Sequence, residues 1–249
     1  MIAIIRGLLA SLGVLVAWPA AADLTATIER VKPSIVMVGI YNRLGAPQFN
    51  LRGTGFAVGD GRTIATNAHV IADLNLNEGN SLTVRAATPL DKARQATVLS
   101  VDKAHDLALL RIEGGALPPL TLRDSDSVRE GAAVAFTGFP IGGALGFSPV
   151  THRGIIAAIT PIAIPGGNAQ QLKENLIRQL KDGGFNIFQL DATAYPGNSG
   201  GPMFDPETGE VIGIINMVFV KGSKEAALSQ PSGISYAIPA NFLRALLGN

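Results

Sequence analysis

A serine flanked by glycines is the feature of this sequence that points most directly to covalent chemistry. Ser199 lies in the segment Gly-Asn-Ser-Gly-Gly at residues 197–201. A serine hydroxyl is a weak nucleophile unless a neighbouring base accepts its proton. The glycines permit a sharp turn and close approach of a substrate, and main-chain N–H groups there can bind a developing oxyanion. The same residue types also build ordinary turns, so the segment alone leaves both interpretations open.

The histidines restrict the choice of base. The sequence contains His69, His105 and His152 and has no cysteine. Histidine is the side chain whose unperturbed pKa lies nearest neutrality. The segment around Ser199 also matches the Gly-x-Ser-x-Gly of α/β-hydrolases, but their histidine follows the serine, and no histidine follows it here. A subtilisin order through Asp60 and His69 would need a helix-rich fold that the sequence does not predict.

The order His, Asp, Ser is the arrangement that survives. His69 follows one short apolar run, and Asp106 opens another at residues 107–112. In this order His69 is the candidate base, Asp106 orients the imidazole and Ser199 is the nucleophile. His105 is a rival base because it adjoins Asp106. Neighbouring residues of a strand point to opposite faces, so we expect His105 to be exposed or structural.

The elements that must position these residues are predicted to be strands. Short runs rich in apolar and β-branched residues, bounded by turn residues, are typical of an all-β fold. The runs are residues 35–40, 53–58, 63–67, 82–86, 96–102 and 107–112, then 132–137, 150–159, 185–191, 202–204, 211–220 and 233–238. Residues 113–131 are interpreted as a linker because they contain Gly-Gly, Pro-Pro and several acids. We therefore predict two six-stranded antiparallel β-barrels, over about residues 33–112 and 132–239.

Three segments depart from the strand pattern. Residues 24–31 and 240–247 are predicted to be short helices. Residues 168–182 carry leucines every four positions and end at two glycines, which predicts an inserted amphipathic helix. This insertion either modulates access to the site or is a neutral surface addition, since long surface loops tolerate insertions.

The first 22 residues resemble a secretory signal. Arg6 precedes an apolar run, and small residues follow at 20–22. We expect cleavage after Ala22, which would leave residues 23–249 as a mature periplasmic or secreted domain; the alternative is an uncleaved membrane anchor. Cleavage would remove one Arg from 20 Lys and Arg, giving 19 basic against 19 acidic residues and a net charge of zero.

The composition argues against several other classes of function. A neutral chain lacks the basic surface that nucleic acids or anionic membranes require. Three dispersed histidines without cysteine do not match a zinc site, and no glycine-rich phosphate loop opens a helix. We therefore expect no metal, no cofactor, no nucleic acid partner and no stable membrane insertion after signal cleavage.

Several motifs together resemble the HtrA (Deg) branch of trypsin-like serine proteases. The three that carry candidate chemistry are TNAHV at 66–70, DLAL at 106–109 and GNSGG at 197–201. Further matches are QLDA at 189–192, GEVIGI at 209–214 and ISYAIP at 234–239. The resemblance covers about residues 30–245. Members of the family usually carry C-terminal PDZ domains, whereas here a protease domain without a PDZ domain is expected, and the oligomeric state is left open.

The resemblance implies a serine endopeptidase that acts on unfolded or damaged proteins through an acyl-enzyme. His69, Asp106 and Ser199 would form the triad, and the N–H groups of Gly197 and Ser199 would form the oxyanion hole. The alternative is an inactive module of the same fold that binds proteins or acts as a chaperone. The partners expected in both cases are proteins or peptides.

The resemblance also places a substrate pocket. It would begin at Thr193 and Ala194, and its wall would include the strand around residues 215–219, with Phe219. These residues carry no charge. We therefore expect the pocket to take a small or medium apolar side chain rather than a charged one.

Overall fold

A computed structural model describes residues 23–72, 74, 79–86, 93–143, 146–162, 184–216 and 233–248. In it the chain forms two closed antiparallel barrels of six strands each. The first barrel contains β1 Ile35–Asn42, β2 Phe49–Val58, β3 Thr63–Asn67, β4 Asn80–Ala86, β5 Arg94–Asp102 and β6 Leu107–Ile112. The second contains β7 Ala133–Gly138, β8 Val150–Pro161, β9 Asn186–Asp191, β10 Pro202–Phe204, β11 Val211–Asn216 and β12 Ile234–Pro239.

The two barrels share one strand arrangement. Around the first barrel the neighbours run β1, β2, β3, β6, β5, β4, and around the second β10, β11, β12, β9, β8, β7. Irregular register interrupts the β1–β2, β5–β6 and β8–β9 ladders. Such bulges bend a strand and increase its twist, which helps a sheet of this size to close.

Two helices flank the barrels. Helix α1 spans Leu24–Val31 and its N-cap, Asp23, accepts a hydrogen bond from the Thr25 N–H at 2.9 Å. Helix α2 spans Ala240–Leu247 and ends at Gly248, whose left-handed backbone is a common helix terminus. Among the residues described, no helix is long and apolar enough to cross a membrane.

An apolar cluster between the barrels joins them into one body. It contains Phe56 and Leu107 of the first barrel, Phe204 and Ile214 of the second, and Leu243 of α2, all fully buried. Burial of one such side chain stabilises a fold by about 1.5–3 kcal/mol. Separate clusters fill the interior of each barrel.

The fold predicted from the sequence is confirmed. The structure also extends several strands; β2, for example, begins at Phe49 rather than at residue 53, because its first residues pair with the end of β1 beyond the bulge. Between β6 and β7 the chain carries a 3₁₀ turn, Ser125–Ser127, and an isolated bridge between Leu122 and Val211. The predicted inserted helix at 168–182 and the end of the predicted run 211–220 lie outside the described residues.

Candidate active site

His69 and Asp106 form a close pair on the first barrel. His69 lies in the 3₁₀ helix Ala68–Val70, directly after β3. Its Nδ1 is 2.6 Å from Asp106 Oδ2, and its main-chain N–H donates to Asp106 Oδ1 at 2.8 Å. Because a carboxylate can only accept, Nδ1 carries the proton, which leaves Nε2 of the neutral ring as an acceptor.

Asp106 adopts a backbone conformation that is uncommon for a residue with a side chain. Its φ is 53°, in the left-handed region, and the Asp106 carbonyl accepts hydrogen bonds from the N–H of Ala68 and from Nδ2 of Asn67, both at 3.0 Å. Such a residue persists only when its surroundings hold it in place. Asp106 therefore belongs to a turn before β6, and strand alternation cannot be used to orient its neighbour His105.

The structure nevertheless gives His105 a structural environment, as expected. Its Nδ1 is 2.6 Å from Asp102 Oδ2, and its ring packs on Phe242 of α2. The side chain is 27% exposed. His105 thus contacts a different carboxylate from the one that holds His69.

Asn216 is a residue of the site that the sequence reasoning did not assign. It ends β11, is fully buried, and donates from Nδ2 to Asp106 Oδ2 at 2.7 Å. The Asp106 carboxylate is therefore held from both barrels. The sequence does contain a signal for this residue, because a polar side chain ends the apolar run 211–215. A polar side chain in a core normally has a hydrogen-bond partner.

The turn that carries Ser199 packs closely against the first barrel through its glycines. Its carbonyl accepts the main-chain N–H of Thr54 at 2.8 Å, and the next residue, Gly200, donates to Ile215 O at 2.9 Å. A Cβ on Gly200 would lie 2.3 Å from Thr66 Oγ1, so the serine turn abuts the strand that leads to His69. Gly200 also has φ +84°, which a larger residue adopts only with strain.

The two candidate oxyanion donors are oriented by hydrogen bonds to the neighbouring carbonyl groups. Thr54 Oγ1 donates to the Gly197 carbonyl at 2.7 Å, and the Ile141 N–H donates to the Pro196 carbonyl at 2.6 Å. These contacts fix the peptide planes on both sides of Gly197. Within the described part of the chain, the N–H groups of Gly197 and Ser199 donate to no other group, which leaves them available to a ligand.

Two of the three predicted pocket residues, Thr193 and Ala194, lie on the loop between β9 and Ser199. The Ala194 N–H donates to Ser235 Oγ, and Ser235 Oγ donates to the Ala192 carbonyl, both at 2.8 Å. Ser235 is buried in β12, so it fixes the loop to the strand that faces it. Thr193 is half-buried between these contacts. Phe219 lies outside the described residues.

Comparisons with known proteins identify the family of this chain. The trypsin-like peptidase domain family matches residues 53–214. Serine protease HTR4 of Rattus norvegicus is 31% identical over 232 residues, which are 91% of this chain and 40% of that protein. A probable periplasmic serine endoprotease DegP-like of Halomonas elongata is 33% identical over 192 residues, 75% of this chain and 32% of that protein. The solved structure of HtrA-type protease AlgW with tripeptide is similar with a TM-score of 0.65 and 27% identity, covering 91% of this chain and 62% of that one.

This chain belongs to the HtrA group of trypsin-like peptidases. The family expected from the motifs is therefore confirmed. The chain spans 40% of the length of HTR4 and 32% of the DegP-like protein.

In this HtrA chain the third histidine lies behind the serine turn. His152 of β8 stacks on Phe136 with ring centroids 4.9 Å apart, and its Nε2 is 3.5 Å from Asn198 Nδ2. Burial lowers the pKa of His152 below its usual 6.5. The Asn198 Oδ1 atom is buried and has no hydrogen-bond partner within the described part of the HtrA domain. Over those same residues, no three His, Asp or Glu side chains are placed to hold a metal ion.

Proposed function

We propose that this chain is a serine endopeptidase that hydrolyses peptide bonds of unfolded or damaged proteins. The observation that carries the proposal is the His69–Asp106 pair, held from both barrels, together with the packing of the Ser199 turn against the strand that leads to His69. Membership of the HtrA group supports the same reaction class. The alternative of an inactive binding module has less support, because each element of a triad is present.

Each residue has a definite role in this mechanism. Ser199 Oγ attacks the substrate carbonyl while His69 Nε2 takes its proton, and His69 then passes that proton to the leaving amine. Asp106 holds the tautomer that keeps Nε2 free and stabilises the imidazolium. Water, activated by the same histidine, hydrolyses the acyl-enzyme in the reverse sequence of proton transfers.

The N–H groups of Gly197 and Ser199 would stabilise the tetrahedral intermediate. The Thr54 hydroxyl and the Ile141 N–H hold the carbonyls on either side of the Gly197 N–H, and the Gly201 N–H holds the Asn198 carbonyl, so both donors need little reorganisation as negative charge develops. One such donor contributes roughly 2.7–4 kcal/mol to the transition state.

The substrate preference that follows is apolar. Thr193 and Ala194 offer no charge to a substrate side chain, and Phe219 is the proposed third member of the pocket. A charged side chain would lose its hydration there without a compensating partner. We therefore propose cleavage after small or medium apolar residues.

The cellular setting is also a proposal. Residues 1–22 have the three-part plan of a signal peptide, and the DegP-like relative is named as periplasmic. We propose export to the periplasm or beyond, with the polypeptide beginning at Asp23. Amino-terminal sequencing of the natively expressed protein tests this; a start at Met1 in the membrane fraction would overturn it.

Serine-directed labelling tests the enzymatic proposal. The wild-type protein should react with a fluorophosphonate and cleave casein, whereas Ser199→Ala should lose both, with turnover lower by on the order of 10⁶, at an unchanged melting temperature. Ser127→Ala is the matched control, since the exposed hydroxyl of Ser127 donates a hydrogen bond to the Asp124 carbonyl at a position away from the site. A wild-type protein that binds unfolded casein but is neither labelled nor active would favour the binding module.

A further inference from the structure

A second histidine–aspartate pair lies in the turn that leads to the proposed catalytic aspartate. His105 Nδ1 is 2.6 Å from Asp102 Oδ2. The other oxygen, Asp102 Oδ1, accepts the main-chain N–H of Ala104 at 2.9 Å and that of His105 at 3.1 Å. The Asp102 carboxylate therefore fixes both the backbone of the turn and the ring of His105, one residue before Asp106.

Two phenylalanines enclose the ring of His105. Phe242 stacks on it with a centroid separation of 4.0 Å and an interplanar angle of 20°. Phe185 meets it edge-on at 4.7 Å, and the two phenylalanines contact each other at 5.0 Å. We call His105, Phe185 and Phe242 the aromatic clamp. Aromatic pairs in such geometries contribute about 0.5–1.5 kcal/mol each beyond their buried area.

The aromatic clamp connects the first barrel to two elements of the second. His105 belongs to the turn between β5 and β6, and Phe242 to helix α2, which follows β12. Phe185 directly precedes β9, and its carbonyl accepts the N–H of Ile162 at 2.9 Å, which closes the ends of β8 and β9 together. The turn before Asp106 is thus attached to helix α2 and to the joined ends of β8 and β9 in the opposite barrel.

This attachment bears on Asp106 because of that residue's left-handed backbone. A φ of 53° is unfavourable for an aspartate, so the turn would relax if its neighbours released it. On one side Asn67 and Ala68 hold the Asp106 carbonyl. On the other side, the contacts of His105 hold the preceding residue.

We propose that His105 is a positioning residue for the Asp106 carboxylate and acts through the aromatic clamp. The proposal rests on the proposed catalytic role of Asp106. The role of the second pair is mechanical, because His105 fixes the turn and the turn fixes the acceptor that holds His69. His105 does not touch the substrate or the reacting atoms.

Two substitutions of His105 separate its contacts. His105→Ala removes the ring and the hydrogen bond, whereas His105→Phe keeps the ring packing and loses the bond to Asp102. We expect kcat to fall about 10- to 100-fold in His105→Ala, because displacement of a catalytic group by about 1 Å has an effect of this size. The fall in kcat should be smaller in His105→Phe, and KM should change little in both variants.

Matched controls separate positioning of Asp106 from simple loss of packing. Asp106 acts on His69 and not on the bound substrate, so a displaced carboxylate should lower kcat and leave KM unchanged. Leu246→Ala is the matched control: it truncates a partly buried side chain of the same helix as Phe242. Asp60→Ala is the control for Asp102→Ala, because Asp60 Oδ1 likewise accepts two N–H groups of a turn, those of Arg62 and Thr63.

The expected pattern is a loss of kcat at unchanged KM in His105→Ala and Asp102→Ala, and no loss of kcat in the two controls. Wild-type kcat in folded His105→Ala protein would overturn the proposal. An equal loss of kcat in Leu246→Ala, with a similar fall in melting temperature, would also overturn it, since packing alone would then account for the effect.

A measurement that needs no turnover keeps this proposal separate from the proposed function. In the Ser199→Ala protein, the Nδ1–H proton of His69 should give a downfield NMR signal because of its short bond to Asp106. Adding His105→Ala should displace or broaden that signal while removing the one from His105. An undisturbed His69 signal would exclude positioning by His105, whether or not the protein is an endopeptidase.

Discussion

The two histidine–aspartate pairs of this molecule have nearly the same internal geometry in different surroundings. In each, the histidine Nδ1 lies 2.6 Å from the aspartate Oδ2, and the main-chain N–H of the histidine donates to Oδ1, at 2.8 Å for His69 and 3.1 Å for His105. The side chains of the two pairs are also exposed to similar extents. Asp106, however, receives a further hydrogen bond from Asn216 of the other barrel, whereas the ring of His105 is covered by phenylalanines. Such a pair therefore acquires a chemical role from its neighbours, not from its own geometry.

The largest difference between the pairs should appear when each is removed. His69→Ala and Asp106→Ala should lower kcat by about 10⁴- to 10⁶-fold, whereas His105→Ala should lower it by no more than about 100-fold. Peptide hydrolysis by the purified variants, each checked for folding by its melting temperature, measures this. Folded His105→Ala protein as inactive as His69→Ala would reverse the assignment of the base.

Removal of the interbarrel bond to Asp106 should have an intermediate effect. Asn216→Leu keeps the branched shape of the side chain but deletes a hydrogen bond to a carboxylate, a contact worth about 1.5–3 kcal/mol. We expect kcat to fall roughly 10- to 100-fold, because 1.4 kcal/mol corresponds to about tenfold.

Asn241→Leu is the matched control for that substitution. Asn241 also donates from Nδ2 to an aspartate oxygen at 2.7 Å, but to Asp124, away from the serine turn. It should lower the melting temperature without lowering kcat. Equal kinetic effects in the two variants would show that the Asn216 bond has no special relation to the reaction.

Thr54→Val tests the hydrogen bonds that hold the serine turn. In the second pair, by contrast, the ring of His105 is held by two phenylalanines. The substitution removes a hydroxyl that donates to Gly197 O and accepts the Phe139 N–H. Kcat should fall about tenfold, less than the 10²–10³ lost with an oxyanion donor itself. Thr83→Val, which loses a bond to Ser81 O within the first barrel, provides the control. Unchanged kcat in Thr54→Val would mean that Gly197 keeps its orientation without the hydroxyl.

The smallest effect concerns His152, whose contacts are with Phe136 and Asn198. Burial lowers its pKa in the folded protein, so below about pH 6.5 the unfolded chain binds more protons there than the folded one. This contribution to stability is complete above that pH and is lost as the pH falls through the folded pKa. The melting temperature of His152→Gln should therefore decline less between pH 7.5 and 5 than that of the wild type. A parallel decline would assign the acid sensitivity to other groups.

The sequence predicted the strands well because the alternation of apolar residues is local. β3, β6 and β10 have the predicted bounds, and both helices do as well. The order of His69, Asp106 and Ser199 could be proposed from the sequence, since only three histidines are candidates for the base and the flanking glycines single out Ser199 as the candidate nucleophile. Asn216 was not assigned because its partner is distant in sequence and its role depends on how the barrels dock. The contacts of His105 were missed for the same reason: Phe185 and Phe242 are far along the chain.

The bond between the Thr54 N–H and the Ser199 carbonyl has a consequence for the cooperativity of the fold. It joins a buried residue of one barrel to the proposed nucleophile of the other at 2.8 Å. An amide in such a bond exchanges its hydrogen with solvent when the bond opens, so the exchange rate of Thr54 reports the free energy of separating the barrels at this point. A covalent inhibitor on Ser199 that steadies the serine turn would slow exchange at a residue that it does not touch.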